Sequence, residues 1–256
     1  MIFIKKILKK ILRIFKIEIS IYKPTKHSID SEYFIPLKEN DDDYQLYKLG
    51  LSKSQNEQSD NIYKQMRFLS LIQLLRIVIN KKDVKSFAEC GCWRGHSSFI
   101  ISSIIKESSK NIKFHIFDSF EGLSISTPRD SDFYKRNDED KESISRHFNS
   151  SELFVKDNVL KNFNFVKTYK GWIPDRVKEV EKESFSFVHI DVDLYEPTKE
   201  SLEFFYPKLD IGGIIVCDDY NISAYPGAKD AWDEYFSKQD YSFFYKTPLG
   251  ACYIVK

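Results

Sequence analysis

Two apolar runs that each close on a pair of carboxylates constrain this chain more than any other feature. The first, SFSFVHIDVDLYEPT, delivers Asp191 and Asp193, and the second, GGIIVCDDY, delivers Asp218 and Asp219. The segment between them, PTKESLEFFYPKL, has the composition and length of one crossover helix. In a strand–helix–strand unit with parallel strands, both strand ends lie on one edge of the sheet, so acids distant in sequence meet in one crevice. Four like charges repel, and a cation is the simplest reason to gather them. All-oxygen ligands favour a hard divalent ion such as Mg²⁺. If the strand continues from Ser186 to Asp193, then His189, Asp191 and Asp193 share one face, because side chains alternate. Asp191 then joins Asp218 and Asp219 as a metal ligand. Asp193, one pleat further out, is the base, with His189 either its competitor or a satisfied core histidine.

A second signal lies about a hundred residues upstream. KSFAECGCWRGHSSFIISSII reads as strand, glycine turn and helix, with Glu89 at the strand end and Gly91 and Gly95 in the turn. Glycines there permit a sharp turn and close approach of a ligand to backbone. IKFHIFDSFEGL ends the next strand at Asp118, where an acid can accept both hydroxyls of a ribose. A third strand ends near Gly171. SFSFVHIDVD and GGIIVCDDY are the fourth and fifth. YSFFYKT and GACYIVK, separated by KTPLG, suit a hairpin. The pattern predicts a Rossmann-like α/β fold: a mostly parallel, seven-stranded sheet with an antiparallel last strand and helices on both faces.

The stretches FAECGCWRGHSS, FDSFEGL, VKTYKGWIPD, HIDVDLYEPTKESLEFFYPKLDIGGIIVCDDY and PGAKDAWDEYF resemble the macrocin-type O-methyltransferases of antibiotic biosynthesis, over roughly residues 60 to 256. That family methylates sugar hydroxyls with S-adenosylmethionine and Mg²⁺. The resemblance implies a class I methyltransferase fold and a cofactor site of Glu89, Gly91, Trp93, Arg94, Gly95, Asp118 and Ser119. It implies metal ligands Asp191, Asp218 and Asp219, and a catalytic pair of Asp191 and Asp193 in which Asp193 takes the proton of the acceptor hydroxyl. A sugar or glycan is the implied acceptor, and association into a homo-oligomer through the N-terminal region is implied as well. The chain departs from the family where a second glycine usually follows WRG, since His96 stands there. Trp172 is a further pocket candidate, whereas Trp232, in an amphipathic helix pattern, reads as core. A competing reading takes Asp191-x-Asp193 as the D-x-D metal motif of nucleotide-sugar glycosyltransferases, but this leaves ECGCWRG and FDSFEGL unexplained. A non-catalytic membrane-associated scaffold is disfavoured by the intact acid set.

Charge is distributed unevenly. Residues 1–26 carry eight Lys or Arg against one Glu, which leaves 31 basic and 37 acidic residues in the rest. The acidic balance argues against nucleic acid as a partner of that part. The four cysteines (Cys90, Cys92, Cys217 and Cys252) lie in apolar contexts without metal-site spacing, and read as buried thiols of a cytoplasmic protein. Residues 20–60 are polar and read as a linker or arm ahead of the catalytic domain at 61–256. Residues 123–150 hold no long apolar run and read as a lid insertion near the strand ends.

MIFIKKILKKILRIFK sets Ile4, Ile7, Leu8, Ile11, Leu12 and Phe15 on one helical face, with the basic residues on the other. This basic amphipathic helix, residues 1–19, is suited to lie in the plane of an anionic membrane, on the inner face of the cell membrane; packing on protein is its alternative. Attraction of about 1 kcal/mol per basic residue near the surface adds to the buried apolar area. Deleting residues 1–18 is therefore expected to abolish co-sedimentation with anionic vesicles. Full-length protein that ignores such vesicles, or a deletion that dissociates an oligomer instead, would count against the membrane reading.

Overall fold

Strand β1 (Ser86–Cys90) and strand β4 (Phe185–Ile190) are buried at every position. Strands covered on both faces carry near-continuous apolar runs, and this pair forms the centre of a parallel sheet. The computed structural model describes residues 41–55, 60–130 and 135–256, all within one compact unit. The sheet has seven strands in the order β3-β2-β1-β4-β5-β7-β6. The remaining strands are β2 (Phe114–Asp118), β3 (Val166–Lys170), β5 (Leu209–Cys217), β6 (Phe243–Lys246) and β7 (Cys252–Val255). β1 pairs in parallel with both β2 and β4, so the strand order reverses at β1 and leaves a crevice outside the strand ends. β7 runs antiparallel between β5 and β6. The KTPLG segment closes its hairpin through Thr247 N–H donating to the Ala251 carbonyl at 2.8 Å. The expected sheet is thus the one observed.

Alternation along the central strands sorts side chains into two cores. Phe87, Phe187, Ile214 and Val216 face α2 (Ile62–Ile79) and α3 (His96–Glu107) through Leu71, Leu75, Ile100 and Ile104. Ala88, Val188, Ile190 and Ile215 face α5 (Tyr195–Lys208) and α6 (Pro226–Phe236) through Leu202, Phe205 and Trp232. Trp232 is core, as its helical pattern implies. All four cysteines are free and buried. No helix among the described residues is long and apolar enough to cross a membrane.

The linker reading of residues 20–60 is corrected for its C-terminal part. Asp42–Ser54 form a helix, α1, that packs on α3 and belongs to the folded domain. Its few apolar positions hide the fact, because the contact is made by Tyr47, fully buried, and by Gly50, where a Cβ would come within 2.7 Å of His96 Cδ2. The proposed amphipathic helix at residues 1–19 lies outside the described residues. In the insertion, α4 (Asp138–Phe148) has no buried residue and starts at Asn137, whose side chain accepts from Asp140 N–H.

Two buried histidines make the fold acid-sensitive. Burial pushes His96 down to about 3 and His115 down to about 4, so both are neutral in the fold. An unfolded histidine takes a proton near pH 6.5, and the folded one does not. Their contribution is therefore fully present above about pH 6.5 and is lost as pH falls toward 4. Urea midpoints should drop across that window, and the two imidazole resonances should stay neutral down to pH 5. Ordinary titration of both rings in the native protein would refute this.

Candidate active site

Three backbone hydrogen bonds beyond the regular strands bring the acids together. Gly91 N–H donates to Phe117 O at 2.8 Å, Asp191 N–H to Cys90 O at 2.8 Å, and Asp218 N–H to Ile190 O at 2.9 Å. Gly91 has φ +81, and a Cβ there would lie 1.9 Å from the Asp191 carbonyl oxygen. The glycine is thus required by the neighbouring strand end, a contact that the ligand-approach reading did not foresee. Asp118 fastens the turn: its Oδ2 accepts from the backbone N–H groups of Cys92 and Trp93 at 2.7 and 2.9 Å, and its Oδ1 from Phe120 N–H at 2.6 Å.

His189, Asp191 and Asp218 each place a ligand atom within 4.8 Å of one another. Behind them, Glu89 is fully buried and accepts from Ser98 Oγ and, at 3.0 Å, from His189 Nδ1. A carboxylate that takes the Nδ1 proton leaves Nε2 with a lone pair, an arrangement common behind metal-bound histidines. Asp219, expected as a third metal ligand, stands beside this cluster, with Oδ2 accepting from Asp193 N–H at 3.0 Å.

The expected alternation through Asp193 is corrected. The strand stops at Ile190, and Asp193 lies in the left-handed region at φ +60, with Leu194 N–H closing a tight turn onto Val192 O. Asp193 is therefore placed by a turn, and not by the pleat. Burial, together with the charge of Asp191, pushes its carboxyl up to about 7. Burial and the charges of Asp193 and Asp191 push Asp219 well up too. The countercharge is Arg67 of α2, which is paired with Asp218. Neither Arg67 nor Lys64 is among the expected site residues; their signal is two cations three residues apart in the first half of α2.

Two cavities meet at these acids. The larger, about 440 Å³, is walled by Phe117, Leu123, Ile125, Phe148, Trp172 and Ile173, with Asp118 and Ser119 at its polar side. The smaller, about 240 Å³, is lined by Lys64, Arg67, His96, Asp219 and Tyr225. Gly91, Trp93, Phe148, Asp191 and Asp193 line both. Three expected cofactor residues are turned elsewhere. Arg94 lines neither cavity; its Nε donates to Ser54 O at 2.9 Å and its guanidinium lies over Phe154. Glu89 also lines neither, since its oxygens serve Ser98 and His189. Gly95 starts α3 at φ +83 and faces Val159 and Val155. Ser119 is at the cavity, but its Oγ is spent within the turn, on Gly122 O and Glu121 N–H.

The 123–150 insertion is pinned at its base. Asp130, fully buried, accepts from Thr127 N–H at 2.6 Å and from Tyr195 N–H, the start of α5, at 2.8 Å. Arg129 reaches Glu234 of α6 at 2.8 Å. The inner edge of the insertion supplies Leu123, Ile125 and Phe148 to the larger cavity.

Comparison with known proteins places this geometry in context. The family model for macrocin-O-methyltransferase (TylF) matches residues 52–243. Demethyldecarbamoylnovobiocin O-methyltransferase of Streptomyces niveus is 27% identical over 184 residues, 68% of this chain and 66% of the relative. A Streptomyces olivaceus 4'-O-methyltransferase of a dimethoxy-rhamnosyl tetracenomycin is 29% identical over 57% of this chain and 56% of its own length. The matches thus span just under two thirds of the first relative and little over half of the second. Among solved structures, the O-methyltransferase NovP superposes with a TM-score of 0.61 at 22% identity, over 81% of this chain and 88% of that one.

The two glycines of the turn should differ in tolerance. Gly91→Ala meets both the left-handed backbone and the Asp191 carbonyl, and is expected to cost about 3 kcal/mol or more. Gly95→Ala meets only side-chain methyls, of Val159 at 3.1 Å and Val155 at 3.3 Å. It should lose about 1–2 kcal/mol, the left-handed penalty alone. Urea unfolding of both variants ranks them, and equal losses would show that the β1–β4 approach is not the constraint.

Proposed function

The chain belongs to the macrocin O-methyltransferase family, and from that premise we propose that it moves a methyl group from S-adenosylmethionine to a sugar hydroxyl. The observation that carries this reading is the junction of the two cavities at Asp191 and Asp193. Only there can the methyl group of a donor come into line with an acceptor hydroxyl beside the acids. The larger cavity has apolar walls for an adenine ring and Asp118 for one ribose hydroxyl rather than the two expected, since both lone pairs of Oδ2 and one of Oδ1 already accept backbone N–H groups.

The residues present fit a divalent cation. Asp191 and Asp218 offer hard oxygen donors within 4.8 Å of each other and of a His189 ring nitrogen, and Asp219 stands adjacent. When bound, such an ion polarises the hydroxyl and eases loss of its proton. Asp193 then receives that proton at its carboxylate, and burial makes it a stronger base than an exposed aspartate. Trp93 and Phe148 exclude water from the junction. The basic residues 1–18 extend the reading to an acceptor presented at an anionic membrane surface, such as a lipid-linked or surface glycan.

Binding and turnover test this separately. S-Adenosylmethionine should bind and uridine-diphosphate sugars should not, and EDTA should stop transfer of a labelled methyl group to sugar acceptors. Asp218→Asn should lose Mn²⁺ binding, read by electron paramagnetic resonance, while keeping cofactor affinity. Asp193→Asn should lower kcat by about 10²- to 10⁴-fold with little change in cofactor binding. Full turnover in EDTA would eliminate the metal, and preferential binding of a nucleotide sugar would eliminate the methyltransferase reading.

A further inference from the structure

The smaller cavity contains two buried polar atoms that the mechanism does not use. Lys64 is 9% exposed, lines the cavity, and its Nζ has no hydrogen-bond partner. His96 is 4% exposed and lines the same cavity. Its Nε2 faces the Tyr47 carbonyl at 3.0 Å. A carbonyl only accepts, so Nε2 carries the ring proton and Nδ1 is a bare acceptor; Nδ1 has no partner. A buried ammonium and a buried imidazole lone pair, both unmet, cost free energy unless a ligand satisfies them.

His96 is also the first residue of α3. Its N-cap is Gly95, which supplies no side-chain cap, so the first N–H groups of a twelve-residue helix have no partner within the helix. They favour an anion in the place where Lys64 already does. The cavity thus offers donors for a carboxylate and, close by, an acceptor for an ammonium. Those are the two charges of an α-amino acid head.

Resting on the methyltransferase reading, we propose that Lys64 and the start of α3 hold the carboxylate of the methionine end of the cofactor, and that His96 Nδ1 accepts from its amino group. Direction follows from the junction. With the nucleoside in the larger cavity and the methyl at Asp193, the amino-acid tail must continue to the far side of Gly91 and Trp93, into the smaller cavity. The assignment also accounts for His96 in place of the usual second glycine. Burial keeps the ring neutral, as an acceptor must be. Glu89, expected among the cofactor residues, is not available to the amino group, since its oxygens are taken by Ser98 and His189. Burial lowers Lys64 to about 8, so most of it is still charged at neutral pH, as a carboxylate partner requires.

The test compares S-adenosylhomocysteine with 5'-methylthioadenosine, which keeps the nucleoside and sulfur but lacks the amino-acid head. Calorimetry on the full chain should show the wild type preferring the former strongly. Lys64→Met should weaken S-adenosylhomocysteine by about 10- to 100-fold, the loss typical of one charged hydrogen bond, and leave 5'-methylthioadenosine unchanged. His96→Gln preserves a donor toward Tyr47 but removes the acceptor, and should cost about 10-fold for S-adenosylhomocysteine alone. Lys64→Met binding S-adenosylhomocysteine as the wild type does overturns the proposal. So does an equal loss for both nucleosides, or a change confined to KM for the sugar acceptor. A wild type that binds neither nucleoside removes the methyltransferase reading itself.

Discussion

The contact on which the site depends is the one between the ends of β1 and β4. Gly91 lets the backbone after β1 come so near the Asp191 carbonyl that no side chain fits between them. That approach holds Asp191 against Cys90, and the next bond in the series sets Asp218 against Ile190. The carboxylates are therefore positioned by main chain, which does not relax when charges repel. A parallel sheet at its reversal point is the natural place for this, since every strand end there opens onto one crevice.

Holding like charges together has an electrostatic cost, and the chain offsets it from its N-terminal side. Arg67 pairs with Asp218, and Lys64 lines the same cavity as Asp219. Both come from α2, which precedes the sheet in sequence. α1 supports this arrangement from behind: Tyr47 gives its carbonyl to His96, and Phe68 of α2 stacks on the same ring, with centroids 3.9 Å apart. The helices before β1 thus complete the polar wall of the site as well as covering the apolar face of the sheet.

The insertion between β2 and β3 couples to the site through Asp130. Its buried carboxylate holds the first amide of α5, two residues after Asp193, so the base of the insertion and the Asp193 turn share one hydrogen-bonded anchor. The exposed α4 beyond it carries Phe148 to the cavity wall.

Much of this was legible in the sequence, because its signals are local. Apolar runs that end in acids mark the C-terminal edge of strands, KTPLG marks the hairpin, and the pattern around Trp232 marks a helix that buries it. The positions of Asp118, Asp191, Asp193 and Asp218 at one crevice follow from that order. What tertiary structure decided is where side chains point once distant elements meet. Asp193 left the pleat because its strand ended three residues earlier, at φ +60 rather than in the extended region. Arg94 turned to Ser54 and Phe154, and Glu89 turned inward to His189, across 40 and 100 residues of chain. Residues 42–54 looked like linker because a helix fastened by one buried tyrosine and one glycine has little apolar periodicity to read. Lys64 and His96 face one cavity only because α2 and α3 pack side by side. Composition and period set the elements; long-range packing, which neither encodes locally, set the polar contacts of the site.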